Sequence, residues 1–466
     1  MSTIHSTEHR KIAIVADDNT GATDAAGMLT SCGASALLIL DPKLVEQEKA
    51  PEGYDVVVVS TRIRSVEPDE AYGMTKQVIE GFSNWGFDTI QLKYCSTFDS
   101  TERGNIGQSL DAAHELLKFS STIVCPALPV NGRRTYMGYH FVHDRILSES
   151  PLSRHPLNPM TDSFLPRWLG HQTEKSIGLI DVHTIRRGVE AVRSARKKLE
   201  EEGAVYHVTD ALEQSDIDLT VQAYGDTSFL SGGSGISQAF GNLYYTEAEP
   251  RDFTERLKER APGLVVISGS ESPTTKGQLD YAVQHGFASV KAHPLDILNE
   301  ASTPKAAVSI SNSQGLEELA SKIAEHYRAG RSVVLSLDRE RGGAVAEVNR
   351  EAEKLGLSPV DVGNIIGSFM GKVAARLVHK EKIERLLISG GETSGSVCFE
   401  CGFRALEVGL PIDPGVPFCF PVDISSEKGD AGTPAPLLVL KSGNFGGEDL
   451  YSRTAVFGTT EGRKGE

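Results

Sequence analysis

The sequence predicts an α/β protein of two domains, each built on a mainly parallel sheet flanked by helices. Short apolar runs alternate with amphipathic stretches along the chain, which is typical of strands and helices in a parallel sheet. The 466 residues are enough for more than one hydrophobic core. A charged stretch at 244–260 separates two such alternating regions. We therefore expect a first domain over residues 1–250 and a second over residues 251–466.

The first region opens with a predicted strand at 11–16 and a predicted helix at 22–31. Later apolar runs predict strands, and apolar residues spaced three and four apart predict helices. These strands are expected at 36–40, 55–60, 89–92, 122–125, 177–180, 205–208 and 219–223, and the helices at 68–82 and 106–117. Residues 126–173 show weak periodicity, and a segment of that length without clear elements is often functional.

The second region repeats the alternation of strands and helices. Its strands are expected at 263–268, 289–292, 332–337, 385–389 and 436–441. A long helical pattern covers 347–378 and is expected to break near 356–359, where Gly and Pro occur. Residues 303–307 and 425–435 are expected to be surface loops.

Composition excludes several classes of protein. The chain has 47 Lys and Arg residues against 63 Asp and Glu residues, a net charge of −16, so we expect no nucleic-acid partner. The longest apolar runs are strand-sized, so we expect no membrane partner, and without a signal-peptide core we expect a cytoplasmic protein. Six cysteines are too few for a disulfide scaffold. Cys398 and Cys401 are expected to be buried helix thiols rather than zinc ligands.

The first candidate site is the run ADDNTGATD at 16–24, which follows a predicted strand and opens a helix. Ligands of α/β sheets bind at the carboxyl ends of strands. Asp17 and Asp18 there could hold Mg²⁺, accept a proton from a hydroxyl or bind sugar hydroxyls. One of them could instead merely cap the helix. Because a cap needs only one acid, the pair favours a functional role.

The second candidate site is the run KYCSTFDSTERGNIG at 93–107, again between a strand and a helix. It offers two cations, many hydroxyls and the free N–H groups of a helix N-terminus, a combination that suits a sugar acid. An exposed loop rich in Ser and Thr is the alternative. The candidate substrate-binding residues are Lys93, Ser96, Asp99, Ser100, Arg103, Gly104 and Asn105.

Three loops rich in Gly and Ser follow predicted strands in the second region, at 268–272, 390–395 and 442–447. Glycines let backbone N–H groups approach phosphates closely, so three such loops at one sheet edge favour nucleotide binding over plain turns. A further Gly-rich turn, TSFLSGGSG at 227–235, is a weaker signal that tight packing could explain.

Several common motifs are absent from the sequence. There is no GxxxxGK[ST] phosphate loop, no GxGxxG after a strand, no HExxH and no GxSxG. Walker-type, dinucleotide-binding, zincin and α/β-hydrolase interpretations are therefore not favoured.

Over nearly its whole length the chain resembles the four-carbon acid sugar kinases. The motifs that carry the resemblance are ADDNTGATD at 16–24, KYCSTFDSTERGNIG at 93–107, GGSG at 232–235, GGETSG at 390–395, DPGVP at 413–417 and KSGNFGGED at 441–449. The second motif resembles the 3-oxo-tetronate kinases of this family rather than its threonate and erythronate kinases, which read like KKIDSTLRGN.

The resemblance implies ATP-dependent, Mg²⁺-assisted phosphorylation of the 4-hydroxyl of a 3-oxo-tetronate. It implies a sugar-acid-binding first domain, a nucleotide-binding second domain and an active site in the cleft between them. Asp18 is expected to deprotonate or orient the hydroxyl, with Asp17 as its partner toward Mg²⁺ or the hydroxyl. The nucleotide-binding residues are expected to be Ser270, Ser272, Gly391, Glu392, Thr393, Ser394, Gly443, Asn444 and Gly446.

Other functions stay open on the residues alone. The same chemistry on D-threonate or D-erythronate is the nearest alternative, and a non-catalytic sensor of nucleotide and sugar acid is another. An NAD(P)-linked dehydrogenase comes third, because the glycine fingerprint is missing. We expect a sugar acid and ATP as small-molecule partners, with a homodimer as the candidate assembly.

Overall fold

The computed structural model describes residues 10–154, 158–245, 251–257, 263–301, 314–338, 344–424 and 435–458. The chain divides into two compact units, Met1–Arg251 and Asp252–Glu466. Within the described ranges, no helix is long and apolar enough to cross a membrane. The expected surface loops at 303–307 and 425–435 lie outside the described residues, apart from Ala435.

The first unit contains a parallel sheet and a small antiparallel sheet. Its described strands are β1 (Ile12–Ala16), β2 (Ala36–Ile39), β3 (Val56–Ser60), β4 (Thr89–Lys93), β5 (Thr122–Cys125), β6 (Arg133–Tyr136), β7 (Tyr139–Val142), β8 (Arg145–Ile146), β9 (Ser176–Ile180), β10 (Ala204–Thr209) and β11 (Phe229–Gly232). The parallel sheet has the order β2-β3-β1-β4-β11-β5-β10-β9. Every residue of β1, β3 and β4 is buried, as expected for central strands covered on both faces.

The helices of the first unit follow the strands in alternation. In chain order they are α1 (Asn19–Thr30), α2 (Leu44–Gln47), α3 (Pro68–Trp85), α4 (Ile106–Leu117), α5 (Leu165–Gly170), α6 (Val182–Ile185), α7 (Val189–Glu201), α8 (Gln214–Ala223) and α9 (Ser234–Tyr244). The prediction of α4 at 106–117 is confirmed. The helix expected at 22–31 begins earlier, at Asn19, because Asp18 caps it.

The strand order reverses between β1 and β4. From β1 the chain continues to β2 and β3 on one side of β1, whereas β4 lies on its other side. The loops that leave β1 and β4 therefore diverge and open a crevice at the carboxyl ends of these strands. Both charged motifs of the first region begin at this point.

The strand expected at 219–223 is wrong, because these residues end helix α8. A capping box, in which Glu213 and Asp216 bond to each other's backbone, starts this helix. Ile217, Thr220 and Val221 then place a helical stripe in the core. The strand of this region is β11, which pairs with β4 and β5 and was not predicted.

Residues 126–173 form elements too short to produce a clear periodicity. Strands β6, β7 and β8 make an antiparallel sheet of strands two to four residues long. Short helical turns and α5 follow it. Single bridges join Thr135 to Ala211 and Tyr139 to Phe164, so the small sheet is anchored on the first unit.

The second unit has the strands β12 (Val265–Ser268), β13 (Ala288–Ala292), β14 (Val333–Leu337), β15 (Arg385–Ser389), β16 (Ala405–Asp413), β17 (Val416–Val422) and β18 (Leu437–Lys441). Their order is β13-β14-β12-β15-β18-β17-β16. The first five are parallel, and β17 is antiparallel to both neighbours. The hairpin of β16 and β17, which turns at the DPGVP motif, was not predicted.

The helices of the second unit are α10 (Thr254–Leu257), α11 (Pro273–Gln284), α12 (Pro294–Ala301), α13 (Gln314–Arg328), α14 (Ala344–Leu355), α15 (Pro359–Glu381), α16 (Gly391–Glu400) and α17 (Leu450–Val456). The predicted break near 356–359 is confirmed between α14 and α15. Ser358 and Asp361 form a capping box there, and Pro359 occupies the first turn of α15.

A glycine of β16 allows the hairpin to pack on its core. An ideal Cβ at Gly409 would lie 2.1 Å from the ring of Phe418, which is 2% exposed within an aromatic cluster. We expect Gly409→Ala to lower the free energy of unfolding by about 1–3 kcal/mol, because the buried ring cannot move aside. Urea unfolding followed by circular dichroism would measure this.

Gly277→Ala in helix α11 is the matched control, because the nearest atom to its ideal Cβ is 3.9 Å away. This change should be neutral or should stabilise by up to about 1 kcal/mol. Equal losses in the two variants would contradict the packing argument.

Candidate active site

Two adjacent acids follow β1 directly. Asp18 caps helix α1: its carboxylate accepts hydrogen bonds from the Gly21 N–H at 2.7 Å and the Thr20 hydroxyl at 2.9 Å. Asp17 is 6% exposed. One of the two acids is thus a helix cap, and this cap also lies at the crevice between β1 and β4.

Arg64, from the loop after β3, binds both acids. Its guanidinium donates to the two Asp17 oxygens at 2.8 and 2.9 Å and lies 3.0 Å from Asp18. Both oxygens of each acid are therefore engaged, but the Asp18 side chain keeps 21% of its surface exposed, against 8% for Asp17. Arg64 was not singled out in the sequence, although the polar run after the 56–60 strand offered the same signal as the other loops.

The two carboxyls differ in their pKa shifts. Burial raises the pKa of Asp17, against the opposing attraction of Arg64. Burial acts on Asp18 as well, but the charges of Arg64 and Lys93 and the bonds from Thr20 and Gly21 outweigh it and lower its pKa. Asp18 is therefore the acid that is both ionised and reachable.

Lys93 ends β4 beside this pair and is 2% exposed. An ideal Cβ at Gly21 would lie 2.4 Å from an Asp18 oxygen and 2.7 Å from the Lys93 ammonium, so only glycine leaves room for both groups beside α1. Among the described residues, the Lys93 ammonium has no hydrogen bond and no carboxylate oxygen within 4.0 Å. Its charge lowers the pKa of Asp18 and opposes the effect of burial on the pKa of Asp24.

The loop after β4 is held by the 126–173 segment. The hydroxyl of Ser100 is fully buried and accepts hydrogen bonds from the Trp168 indole and the Gln172 amide, each at 3.0 Å. His140 donates from its Nε2 to the Ser96 carbonyl at 2.9 Å. Burial lowers the pKa of His140 to about 4, which keeps it neutral.

The remaining predicted residues of this loop have different environments. Asp99 is half-buried and accepts from Thr97 at 2.6 Å. Asn105 is buried and donates to the carbonyls of Ile63 and Val66, so it positions the loop that carries Arg64. Arg103 is 78% exposed and lies 3.3 Å from Glu67.

A cavity of about 500 Å³ adjoins these groups. Its lining includes Arg64, Thr101, Arg103, Gly104, Asn105, Asn158, Thr161 and Trp168. A second cavity of about 20 Å³, enough for about one water, lies behind it. Arg64 and Asn105 line both cavities, and Asp17, Lys93 and Asp99 line the smaller one. Glu67 and Glu102 also line the larger cavity, so cations, carboxyls and amides surround a space large enough for a small polar molecule.

In the second unit, the three Gly/Ser loops follow β12, β15 and β18, which are neighbours in the sheet. Ser272 caps helix α11 and its hydroxyl donates to the Gly443 carbonyl, which joins the first and third loops. Ser270 accepts from Thr275 at 3.0 Å. The sheet therefore brings Ser270, Ser272 and Gly443 together, as expected.

The second loop opens helix α16, whose first turn contains Gly391, Glu392, Thr393 and Ser394. Thr393 packs against Gly269, and the buried Ser394 hydroxyl donates to the Gly390 carbonyl at 2.8 Å. The side chain of Glu392 is exposed.

The third loop holds the last two predicted nucleotide contacts. Asn444 is exposed, and the carbonyl of Gly446 accepts from the Gln278 amide at 2.9 Å. Gln278 also donates to the carbonyls of Phe445 and Gly447. One buried amide thus fixes this loop. A cavity of about 470 Å³ starts at Ser268 and Ser270 and runs along α11.

Lys441, the last residue of β18, was not predicted. It is fully buried, and its ammonium donates to Thr275 at 3.1 Å and to the carbonyls of Ser442 and Gly443 at 2.9 Å each. Burial lowers the pKa of Lys441 to about 7. A buried cation thus links two of the three loops at their base.

The described residues contain no cluster of three or more His, Cys, Asp or Glu side chains that could hold a metal ion. The acidic pair does not fit a resident Mg²⁺ either, because Arg64 takes both oxygens of Asp17. Cys398 and Cys401 are buried free thiols in and at the end of helix α16, as expected, and burial raises the pKa of Cys398 to about 12.

Two family models match the chain, one described as a sugar-binding N-terminal domain over residues 12–240 and one as a nucleotide-binding C-terminal domain over residues 265–451. The 3-oxo-tetronate kinases of Pseudomonas fluorescens and Salmonella typhimurium are 35% and 34% identical to it. These alignments cover 95% of this chain in both cases, and 96% and 98% of the relatives. That of Escherichia coli K12 is 34% identical over 87% of this chain and 98% of its own.

Two crystal structures share the fold over almost the whole chain. One, from Salmonella typhimurium LT2, has a TM-score of 0.77 and 31% identity and covers 95% of this chain and 98% of its own. The other, from Haemophilus influenzae, has a TM-score of 0.70 and 28% identity and covers 94% and 98%.

The buried Lys441 makes stability depend on pH. From pH 7 to its ordinary pKa of 10.5, the unfolded chain keeps a proton on Lys441 that the folded chain has released. Its contribution to stability therefore rises with pH across this window, and the cost of the buried charge is fully present below pH 7. Relative to wild type, Lys441→Met should thus become less stable as pH rises from about 7 to 10.

Urea unfolding of both proteins at several pH values, without nucleotide, would measure this difference. Lys322→Met is the control, because Lys322 is exposed on α13 and its difference from wild type should not vary. If the difference in stability between Lys441→Met and wild type also stayed constant across pH, the Lys441 ammonium would keep its charge in the folded protein.

Proposed function

Because the chain belongs to the family of the four-carbon acid sugar kinases, and the relatives above are 3-oxo-tetronate kinases, we propose that it phosphorylates the 4-hydroxyl of a 3-oxo-tetronate with ATP. The product is 3-oxo-tetronate 4-phosphate. The observation that carries this proposal is the ionised, partly exposed carboxylate of Asp18 near the buried ammonium of Lys93 at the crevice of β1 and β4. A small acid with a free hydroxyl matches both groups.

The first domain, residues 1–250, is proposed to bind the sugar acid in the cavity of about 500 Å³. The carboxylate would pair with Arg64 or Arg103, which line this cavity, or with Lys93 in the smaller cavity that also has Arg64 in its lining. The backbone N–H of Asn105 offers a further donor at the start of α4. That of Gly104 already donates to the Thr101 carbonyl at 3.1 Å.

Asp18 is proposed to orient the 4-hydroxyl and to accept its proton. Phosphoryl transfer has a loose transition state, so positioning and charge neutralisation matter more than a strong base. A carboxylate with a lowered pKa suits that role, since it stays ionised while the proton leaves late. Asp17, whose oxygens are both bonded to Arg64, is assigned to holding Arg64 in place.

The second domain, residues 251–466, is proposed to bind ATP. Hydroxyls of Ser270 and Ser272, the first turn of α16 at Gly391–Ser394 and the loop of Gly443, Asn444 and Gly446 would face its phosphates. The N-terminus of a ten-residue helix supplies free N–H groups and a positive dipole end. Lys441 would add a positive charge beneath the same loops.

Mg²⁺ belongs to this proposal only as an ion carried by the ATP phosphates, because the acidic pair is already bonded to Arg64. We further propose a cytoplasmic location, where ATP is supplied. The active site in the interdomain cleft, the homodimer and the lack of a nucleic-acid partner stay predictions.

Asp18→Asn should lower kcat about 10²–10⁴-fold and leave the affinity for ATP nearly unchanged. The amide keeps the helix cap but cannot accept the hydroxyl proton. Steady-state kinetics with both substrates varied would test this, with the exposed Glu190→Gln on α7 as a control for the change of charge. Near-normal kcat in Asp18→Asn would remove Asp18 from the proposed role.

Substrate choice is tested by ADP release across a panel of four-carbon acids with ATP and Mg²⁺. We expect turnover with 3-oxo-tetronates and little with threonates or erythronates. Preference for the reduced acids would keep the kinase and exclude the 3-oxo substrate. ATP binding without turnover on any acid would favour the sensor.

A further inference from the structure

The segment at 126–173 takes no part in the proposed phosphoryl transfer, yet it contacts the loop after β4 at several points. Trp168 donates to the Ser100 hydroxyl, and Gln172 donates to the same hydroxyl and to the Thr101 carbonyl at 2.8 Å. The Gln172 side-chain oxygen accepts from the Gly107 N–H at 3.0 Å. Trp168 thus binds the loop before its Arg103–Asn105 turn, and Gln172 binds it both before the turn and after it.

The Ser100 hydroxyl is saturated by these contacts. It accepts two hydrogen bonds, donates its proton to the Phe98 carbonyl at 2.9 Å and has no exposed surface. A hydroxyl in that state has no remaining capacity to bind a ligand directly. The role of the Ser100 hydroxyl is therefore to anchor the loop to Trp168 and Gln172.

The clamped loop forms one wall of the cavity of about 500 Å³. Thr101, Arg103, Gly104 and Asn105 line that cavity, and Trp168 lines it from the other segment. Asn105 in turn donates to the carbonyls of Ile63 and Val66 on either side of Arg64. Displacement of the loop would therefore change the position of two arginines that face the cavity.

We propose that Trp168 and Gln172 are positioning residues for the sugar acid: by holding Ser100 and Thr101 they fix the loop that shapes its cavity. This inference rests on the proposed function for the identity of the acid. It goes beyond that function by assigning a role to the segment between β5 and β9 that the motifs do not reveal.

The chain contains two tryptophans, and they provide a matched pair of variants. Trp168→Phe removes the indole N–H that Ser100 accepts but keeps an aromatic ring. Trp85→Phe removes an equivalent hydrogen bond, from the indole to the Glu48 carbonyl at 3.1 Å, at the end of α3. Both variants lose one hydrogen bond of similar length, and only one of the two bonds lies at the cavity.

Trp168→Phe should raise KM for the acid about 3- to 10-fold, the loss expected for one hydrogen bond. KM for ATP and kcat at saturating acid should stay unchanged, and Trp85→Phe should leave all three constants at the wild-type value. A Trp168→Phe variant with unchanged KM for the acid would overturn the proposal. So would an equal rise in both KM values, because the effect would then not be specific to the acid.

Ser100→Ala removes the same hydrogen bond from its other side and keeps the test available if Trp168→Phe folds poorly: it too should raise KM for the acid and leave KM for ATP unchanged, and an unchanged KM for the acid would overturn the proposal. Where both variants fold, a double-mutant cycle of the two should be strongly non-additive, because both changes break the same hydrogen bond. Additive losses would show that Ser100 and Trp168 act separately, which overturns the clamp.

Binding can be followed without turnover in the Trp85→Phe variant, where Trp168 is the single tryptophan. Its fluorescence should change on addition of the 3-oxo acid, and the Trp168→Phe variant should give no such signal. A fluorescence change without ADP release would leave the clamp supported and remove the proposed kinase activity. ADP release with unchanged Trp168 fluorescence would keep the kinase and overturn the clamp.

Discussion

The first unit depends on one electrostatic arrangement, the bidentate pairing of Arg64 with Asp17 beside the carboxylate of Asp18. Two adjacent acids at the end of a buried strand would repel each other and lose hydration. Arg64 compensates Asp17 with two short charge-assisted hydrogen bonds, and removing one partner of such a buried pair costs about 3–5 kcal/mol. The pairing neutralises Asp17, leaves the ionised Asp18 partly exposed and determines where the loop after β3 must lie.

The topology makes this arrangement attainable. β1 lies between β3 and β4, so the residues that follow these three strands converge although they are far apart in the chain. Because the strand order reverses between β1 and β4, the loops that leave these strands diverge and a crevice remains between them. Asn105 closes the arrangement by binding carbonyls on both sides of Arg64. The acid-facing residues are thus held by backbone contacts as well as by charge.

Sequence patterns located the loops but not the partners within them. Asp18, Lys93, Ser272 and Gly443 were found because polar or glycine-rich runs follow apolar strands. Arg64 and Lys441 were missed because their importance depends on which strands are neighbours in the sheet, and local periodicity does not predict that order. The strand β11 was not predicted because its sequence, Phe-Leu-Ser-Gly, is short and half polar. The β-branched residues at 219–223 favoured a strand, but they belong to a helix that starts at a capping box.

In both units the candidate site lies at the carboxyl ends of neighbouring parallel strands, but the side chains that form the two sites differ in chemistry. In the first unit the candidate site consists mainly of charged side chains. Burial raises the pKa of Asp17, whereas neighbouring charges and hydrogen bonds together outweigh burial and lower the pKa of Asp18. In the second unit, the loops after β12, β15 and β18 present hydroxyls, glycines and a helix N-terminus, with the charge of Lys441 buried below them. A small acid needs discrete cations that match one carboxylate, whereas a polyphosphate spreads its charge and is better bound by many N–H and O–H donors. The division of charged and neutral donors between the units is therefore the feature that distinguishes the proposed sugar-acid site from the proposed nucleotide site.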